Sequence, residues 1–286
     1  MDEALLIRVV LLSETVETFR IMSEDDLSAK PRVGNSLIAF IDLLGFSQEV
    51  EHACQDTESF TEIIRKVVSA QLHFDHTLGP RDPLDAEDCT VLAFSDCIIW
   101  NCPLKTEATP HIGEYDETMY RLRRLGDSQL NCVLEGTFVR GAVDFGLSYH
   151  YKTVFVSDGL VRAHRAESGY TTMPVISLTA RTSALVWSQQ SSKSGEVDFD
   201  HVIFEGSFDY DGDSYPLRFI NYLYVWWGDE AAQVQTLEKH REVVLAALKR
   251  IEKPRVRSKY QWLIGYHNLF VKQYLPDRTD LLATES

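Results

Sequence analysis

Two aspartates stand inside apolar runs of strand-like composition, which is an unusual place for a charged side chain. Asp42 lies in the run LIAFIDLLGF over 37–46, and Asp96 lies in VLAFSDCIIW over 91–100. A carboxylate is costly to bury unless it is paired or binds a metal ion. Mg²⁺ is commonly held by one or two carboxylates together with substrate phosphates. The pair therefore predicts a shared divalent-cation site on a sheet and, with it, phosphate chemistry.

The residues that follow Asp42 are suited to binding phosphate. A turn through Leu44, Gly45 and Phe46 would let backbone N–H groups approach a triphosphate closely. Two plainer interpretations stay open, because Asp42 could cap the next helix and Asp96 could be a solvated turn residue. The apolar runs on both sides of Asp96 favour the metal site.

Composition limits the classes of partner. The chain has 286 residues, of which 44% are hydrophobic and 25% charged, and these are ordinary values for a globular protein. Its net charge of −15 argues against nucleic acid or an anionic membrane as the main partner. The N-terminal apolar run over 4–12 contains Arg8 and is too short to span a bilayer. Met22 is an alternative start to Met1.

The five cysteines are odd in number and include no CxxC pair. This pattern predicts neither a disulfide framework nor a zinc site, and it favours a reducing, cytoplasmic location. The segment DYDGD over 209–213 resembles a calcium loop only superficially, because Ser214 and Ile220 occupy positions that need glycine and glutamate. A hairpin turn is expected there.

Hydrophobic periodicity and turn residues predict an α+β fold. The order β-α-ββ-α-β is typical of a ferredoxin-like or palm-type core, with a mainly antiparallel sheet flanked by helices. We expect an N-terminal extension (1–35), a catalytic domain (36–228) and a helical C-terminal extension packed on it (229–286). The predicted strands are 36–43, 89–95, 97–102, 138–147, 153–156, 174–178, 201–209 and 215–223. The predicted helices are 47–78, 114–134, 158–168, 179–190, 231–252 and 256–274.

Across 36–190 the layout strand–Asp–x–x–Gly–Phe, helix, strand–Asp–strand resembles the catalytic domain of the adenylate and guanylate cyclase superfamily. The segments FVRGAVDFG (138–146) and AHRAESG (163–169) resemble that family's arginine–glycine strand and its arginine-bearing helix. The resemblance implies two Mg²⁺ or Mn²⁺ ions held by Asp42 and Asp96, with the Leu43 carbonyl as an extra ligand. It also implies a homodimer with active sites at the subunit interface.

The resemblance further implies an arginine that stabilises the transition state. Arg165 matches the family's helix arginine, while Arg140 and Arg162 are competing candidates. One of these arginines could act from the partner subunit. Each could equally be a surface ion pair, so the assignment stays open between them.

Base-reading positions differ from those of the purine cyclases. The family's lysine, aspartate and helix asparagine are replaced here by Leu92, Val154 and Val161, which cannot hydrogen-bond adenine. The chain resembles instead the divergent bacterial pyrimidine cyclases of the Pycsar anti-phage systems, including their C-terminal motif, here KYQWLIGYHN over 259–268. This implies UTP, or else CTP, as substrate, and a separate effector that senses the cyclic product. Lys259 would contact the triphosphate or simply complement a helix end.

Two other functions remain compatible with these residues. One is a purine cyclase that recognises its base through different side chains. The other is an inactive nucleotide-binding regulator that contacts a partner through Trp226, Trp227 and the C-terminal helices. Intact Asp42 and Asp96 count against the regulator.

Overall fold

An eight-stranded sheet forms the centre of the computed structural model, which describes residues 32–75, 89–106, 109–151, 154–195, 197–210, 213–224 and 229–284. The strands are β1 (Arg32–Leu43), β2 (Thr90–Phe94), β3 (Cys97–Pro103), β4 (Val139–Tyr151), β5 (Val154–Ser157), β6 (Ile176–Leu178), β7 (Ile203–Tyr210) and β8 (Asp213–Ile220). Their order is β2-β3-β1-β4-β6-β8-β7, and β5 pairs with β4 outside this path. Only the β4–β6 pair is parallel among the described strands. The predicted α+β class with a mainly antiparallel sheet is confirmed.

Helices flank this sheet. They are α1 (Phe46–Ala53), α2 (Thr57–Phe74), α3 (Thr109–Ile112), α4 (Glu114–Leu134), α5 (Asp158–Gly169), α6 (Ala180–Gln189), α7 (Glu230–Arg250) and α8 (Pro254–Tyr274). Tyr210 pairs with Asp213 in the β7–β8 ladder, as the expected hairpin requires, while the turn residues 211–212 lie outside the described part of the chain. Within the described residues, no helix is long and apolar enough to cross a membrane.

The two faces of β1 have different partners, because successive side chains in a strand point to opposite sides. Leu37, Ala39 and Ile41 are fully buried in the core that α2 and α4 share with the sheet. The other side carries Ser36, Ile38, Phe40 and Asp42, and we call it the Asp42 face. Helix α5 packs on part of this face, where the ring of His164 lies 4.8 Å from that of Phe40. The site residues therefore project from the side of the sheet opposite the main core.

The predicted single helix over 47–78 is wrong. The chain forms α1 and α2 with a break at residues 54–56, and residues 76–78 lie outside the described part of the chain. Asp56 begins α2 as its N-cap, with its carboxylate accepting hydrogen bonds from the backbone N–H groups of Glu58 and Ser59. A continuous apolar periodicity does not reveal such a break, since the apolar residues of the two helices fall in one pattern.

The cysteine prediction also needs correction, because Cys89 and Cys102 form a disulfide. Thr90 pairs with Asn101 in the β2–β3 ladder, so the flanking cysteines face each other with Cα atoms 4.3 Å apart. Cysteine spacing along the chain carries no information about this cross-strand register. The other three cysteines, Cys54, Cys97 and Cys132, are free.

The C-terminal helices pack on the β8 end of the sheet through aromatic side chains. The ring of Phe219 lies 5.5 Å from that of Trp262 and 5.1 Å from that of Tyr266. Tyr266 also donates a hydrogen bond to Asn221 Oδ1 at 2.6 Å. These contacts fix α8 against the sheet. The division of the chain at residues 35 and 228 stays a prediction.

A buried histidine pair joins α7, α8 and the C-terminal segment. His267 Nε2 lies 3.0 Å from the Leu281 carbonyl, and the two Nδ1 atoms of His240 and His267 are 3.1 Å apart. Because a carbonyl only accepts, His267 carries its proton on Nε2 and accepts at Nδ1 from His240. The Tyr222 hydroxyl, 3.0 Å from His240 Nε2, then donates to it. With both rings neutral, each of these three hydrogen bonds has one donor and one acceptor.

We therefore expect the free energy of unfolding to fall as the pH drops below about 6.5. Burial lowers the pKa of His267, and it lowers that of His240 well below its usual value. At these pH values the unfolded chain therefore binds protons that the folded chain does not bind. Each unit of pKa difference lowers the free energy of unfolding by about 1.4 kcal/mol. Urea unfolding between pH 7.5 and 5 measures the effect. The exposed variant His111→Gln should keep the same decline, and a flat wild-type profile would refute this account.

Candidate metal and nucleotide site

The structure brings Asp42 and Asp96 together at one end of the Asp42 face. Asp42 ends β1 and pairs in register with Cys97 of β3, the residue that follows Asp96. The backbone N–H of Leu43 donates to the Asp96 carbonyl at 3.0 Å, which fixes the two segments to each other. One ligand atom from each of Asp42, Asp96 and Cys97 lies within 4.8 Å of the other two. The two apolar runs therefore converge on one small site.

The hairpin turn that presents Asp96 has a strained backbone. Phe94 pairs with Cys97, so Ser95 and Asp96 form a two-residue turn. Ser95 has a φ of 57°, a left-handed conformation that costs a non-glycine residue about 1–2 kcal/mol. The turn sets Asp96 beside the end of β1, where Asp42 lies.

Cys97 is a member of this cluster that sequence analysis missed. Burial, together with the charges of Asp96, Asp42 and Glu167, raises the pKa of its thiol to about 12. The residue could have been found from strand alternation, because it lies opposite Asp42 and its side chain shares the Asp42 face.

Arg140 links Asp42 to helix α5. It pairs with Asp42 in the β1–β4 ladder, and its Nε donates to Asp42 Oδ2 at 3.0 Å while lying 2.6 Å from Glu167 Oε1. Burial raises the pKa of Asp42, the charge of Arg140 opposes that rise, and Glu167 and Asp96 add to it. The guanidinium is thus shared between two carboxylates, which orients Asp42.

Glu167 is a second site residue that was not among the sequence-based candidates. Its side chain is buried on α5, and Ser168 Oγ donates to its Oε2 at 2.8 Å. Although Glu167 Oε1 lies close to Arg140, it accepts no hydrogen bond of good geometry. The glutamate occurs in the segment AHRAESG over 163–169, which was the available signal.

Lys259 brings a positive charge from α8 to the same site. Burial lowers its pKa, as do the charges of Arg140 and Arg255, while Asp42 and Glu167 act in the opposite direction. The half-buried lysine therefore lies within the electrostatic field of the acidic cluster. Its predicted contact to a triphosphate stays a prediction.

The start of α1 lies directly after Asp42 and Leu43. Gly45 adopts a φ of 85°, and no side-chain hydrogen bond caps the helix that begins at Phe46. The starts of α4 and α8 also lack a side-chain cap, whereas α2, α5, α6 and α7 each begin with one. Leu44 is different, because its N–H donates to the Phe138 carbonyl at 2.9 Å and is not free for phosphate. The predicted phosphate contacts therefore reduce to Gly45 and Phe46.

The other two arginine candidates have different surroundings. Arg162 donates to Asp144 and Asp158 and to the carbonyl of Phe145, which makes it a structural residue that holds α5 to β4. Arg165 is exposed and makes no ion pair or hydrogen bond with the part of the chain that the structure describes. It precedes Glu167 by two residues, or about 200° around a helix, so it points away from Asp42.

The three base-reading positions carry apolar side chains that are exposed or half-buried. Val154 on β5 and Val161 on α5 are 52% and 49% exposed, and Leu92 on β2 is half-buried. They offer no side-chain hydrogen bond to a base. Trp226 and Trp227, the predicted partner contact, lie outside the described residues.

No protein-family model and no curated protein matches the sequence. Solved structures with a similar fold include a bacterial light-regulated adenylyl cyclase, with 13% identity and a TM-score of 0.41 over 76% of this chain and 60% of that one. A class III adenylyl cyclase-like ATP-binding protein from Pseudomonas aeruginosa has 13% identity and a TM-score of 0.42 over 59% of this chain and 39% of that one. The catalytic core of a rhodopsin-guanylyl cyclase has 8% identity and a TM-score of 0.38 over 67% of this chain and 98% of that one. At these values the function has to be inferred from the chain's own residues.

Proposed function

We propose that this protein is a metal-dependent nucleotide cyclase that converts a pyrimidine nucleoside triphosphate, with UTP favoured over CTP, into its 3′,5′-cyclic monophosphate and pyrophosphate. The observation that carries the proposal is the convergence of Asp42 and Asp96, whose ligand atoms lie within 4.8 Å of each other and of Cys97 Sγ. Arg140 pairs with Asp42, and a cation bound between the two carboxylates would offset the rest of their negative charge.

The residues present fit a pair of Mg²⁺ or Mn²⁺ ions. Asp42 and Asp96 supply carboxylate oxygens, and the Leu43 carbonyl at the end of β1 remains a candidate ligand. Burial and the neighbouring carboxylates raise the pKa of Asp42, because they destabilise its charged form. Bound cations would stabilise that charged form.

When bound, the cations lower the pKa of the ribose 3′-hydroxyl and neutralise the triphosphate. This chain's own residues hold and orient the substrate. Arg140, fixed by Glu167, keeps Asp42 aimed at the site. The N–H groups of Gly45 and Phe46 at the start of α1 would bind the phosphates, and Lys259 would add positive charge. The 3′-oxygen then attacks the α-phosphorus in line and pyrophosphate leaves.

Arg165 completes the site from a second copy of the chain. It points away from Asp42 in its own subunit and is exposed, so it is available to a partner. An arginine placed on the phosphoryl group stabilises the charge that develops in the transition state. The functional unit of the proposal is therefore a homodimer with two interfacial sites.

The pyrimidine preference is supported by the absence of hydrogen-bonding side chains at the three base-reading positions. Leu92, Val154 and Val161 cannot satisfy the hydrogen-bonding edge of a purine, and an unpaired edge would weaken binding. By the resemblance to anti-phage cyclases, we further propose that the product is a second messenger in antiviral defence, sensed by a separate effector.

Incubation with each of the four ribonucleoside triphosphates and Mn²⁺, followed by chromatography of the products, tests this proposal. We expect cyclic UMP to be the main product, with cyclic CMP as the lesser one, and no product from the Asp42→Asn variant. Cyclic AMP or cyclic GMP as the main product would refute the pyrimidine assignment. Tight triphosphate binding without turnover would show an inactive regulator instead.

A further inference from the structure

A cavity of about 340 Å³ lies at the other end of the Asp42 face. Its lining includes seven polar side chains: Asn35, Ser36, Thr90, Asn101, Lys105, Ser148 and His150. Ser36 and Asp42 are six residues apart on β1, which places the cavity roughly 20 Å from the metal cluster at about 3.4 Å per residue. A volume near 300–1,000 Å³ is the usual size of a small-molecule site.

Asn101 gives this cavity an unsatisfied polar atom. The residue is only 5% exposed, and its Oδ1 has no hydrogen-bond partner. In the β3 ladder it lies opposite Ile38, so its side chain is on the Asp42 face with the cavity. Buried side-chain acceptors are normally satisfied in folded proteins. An orphan acceptor beside an open cavity therefore points to a ligand that donates to it.

The remaining lining restricts what that ligand can be. Ser36 Oγ and Ser148 Oγ are 2.8 Å apart and satisfy each other, while Thr90 Oγ1 lies 3.5 Å from His150 Nδ1. Among the described residues that line the cavity none is acidic, so nothing there would hold a cation. Hydroxyl, amide and imidazole groups suit a planar heterocycle with both donors and acceptors. An asparagine amide pairs side by side with such an edge, as it does with nucleobases.

We propose that the Asn101 cavity binds the base of a nucleoside or nucleotide, with Asn101 Oδ1 accepting a hydrogen bond from a ring or exocyclic N–H. The choice of ligand class rests on the proposed function, whereas the existence of a site rests on the cavity and the orphan acceptor. Because the cavity lies roughly 20 Å from Asp42 along β1, its ligand is either the base of a substrate held by a second copy or an independent nucleoside ligand.

NMR titration of the metal-free protein tests the site, with uridine, cytidine, adenosine and guanosine as the ligands. The probes carry no phosphate, so the outcome does not depend on whether the protein cyclises anything. We expect at least one nucleoside to bind the wild type and to bind at least tenfold more weakly to Asn101→Leu, which has a similar volume. Asn101→Leu should melt no lower than the wild type, because it removes an unsatisfied buried acceptor.

Thr90→Val keeps the side-chain shape and removes one hydroxyl from the cavity, so it should also weaken binding. Its matched control is Thr61→Val on α2, whose hydroxyl bonds the Thr57 carbonyl of its own helix. Displacement of the bound nucleoside by UTP would assign the cavity to the substrate base, and lack of displacement would assign it to an independent ligand. Absence of binding by the wild type, or unchanged binding by both cavity variants, would overturn the proposal.

Discussion

Asp96→Asn should lower the rate of cyclisation by at least about a thousandfold, or roughly 4 kcal/mol of transition-state stabilisation. The substitution keeps the shape of the turn residue but removes the negative charge that would hold a cation between β1 and the β2–β3 hairpin. Asp42→Asn should have the same effect, because both carboxylates act on one site. Product chromatography with the preferred triphosphate measures the loss.

The fold should survive these substitutions. The charge of Asp96 raises the pKa of Asp42, so removing one carboxylate relieves repulsion in the metal-free protein. Mn²⁺ should raise the melting temperature of the wild type and of the exposed control Asp277→Asn, but not that of either site variant. Full activity in a site variant, or an unchanged response to Mn²⁺, would contradict the shared-cation account.

Arg165→Ala should also lower the rate by about a thousandfold or more, as loss of a transition-state arginine does in phosphoryl transfer. Its position away from Asp42 predicts that this loss can be repaired by another subunit. A mixture of Asp42→Asn and Arg165→Ala proteins forms heterodimers in which one site is intact. With equal amounts and random exchange in a two-fold dimer, about one quarter of wild-type activity should return.

The control for this mixing experiment is the pair Asp42→Asn and Asp96→Asn. These two residues belong to one chain's site, so every site in their heterodimers keeps one defect and no activity should return. If exchange of subunits is demonstrated and the Arg165→Ala mixture stays inactive, Arg165 does not act across the dimer.

The convergence of Asp42 and Asp96 could be predicted because each residue interrupts an apolar run. A two-residue turn next to Asp96 implies a hairpin, and strand alternation keeps a buried charge on the face opposite the core. The strand and helix order was readable for the same reason, since turn residues separate most elements. Residues 114–134, for example, form α4 as expected.

Other features depend on register and on packing between distant segments, which a single sequence does not contain. The Cys89–Cys102 disulfide and the place of Cys97 beside Asp42 both follow from how β1, β2 and β3 pair. The Arg140–Glu167 contact joins a strand to a helix 27 positions later. Periodicity also hid the break before α2, because a capping aspartate looks like any exposed polar residue.

An anomalous difference map from crystals grown with Mn²⁺ and a non-hydrolysable UTP analogue tests the central claim most directly. We expect Mn²⁺ bonded to carboxylate oxygens of both Asp42 and Asp96, with the triphosphate on the same ions. A map in which Mn²⁺ contacts only one of these carboxylates, or binds elsewhere while the nucleotide is present, would contradict it.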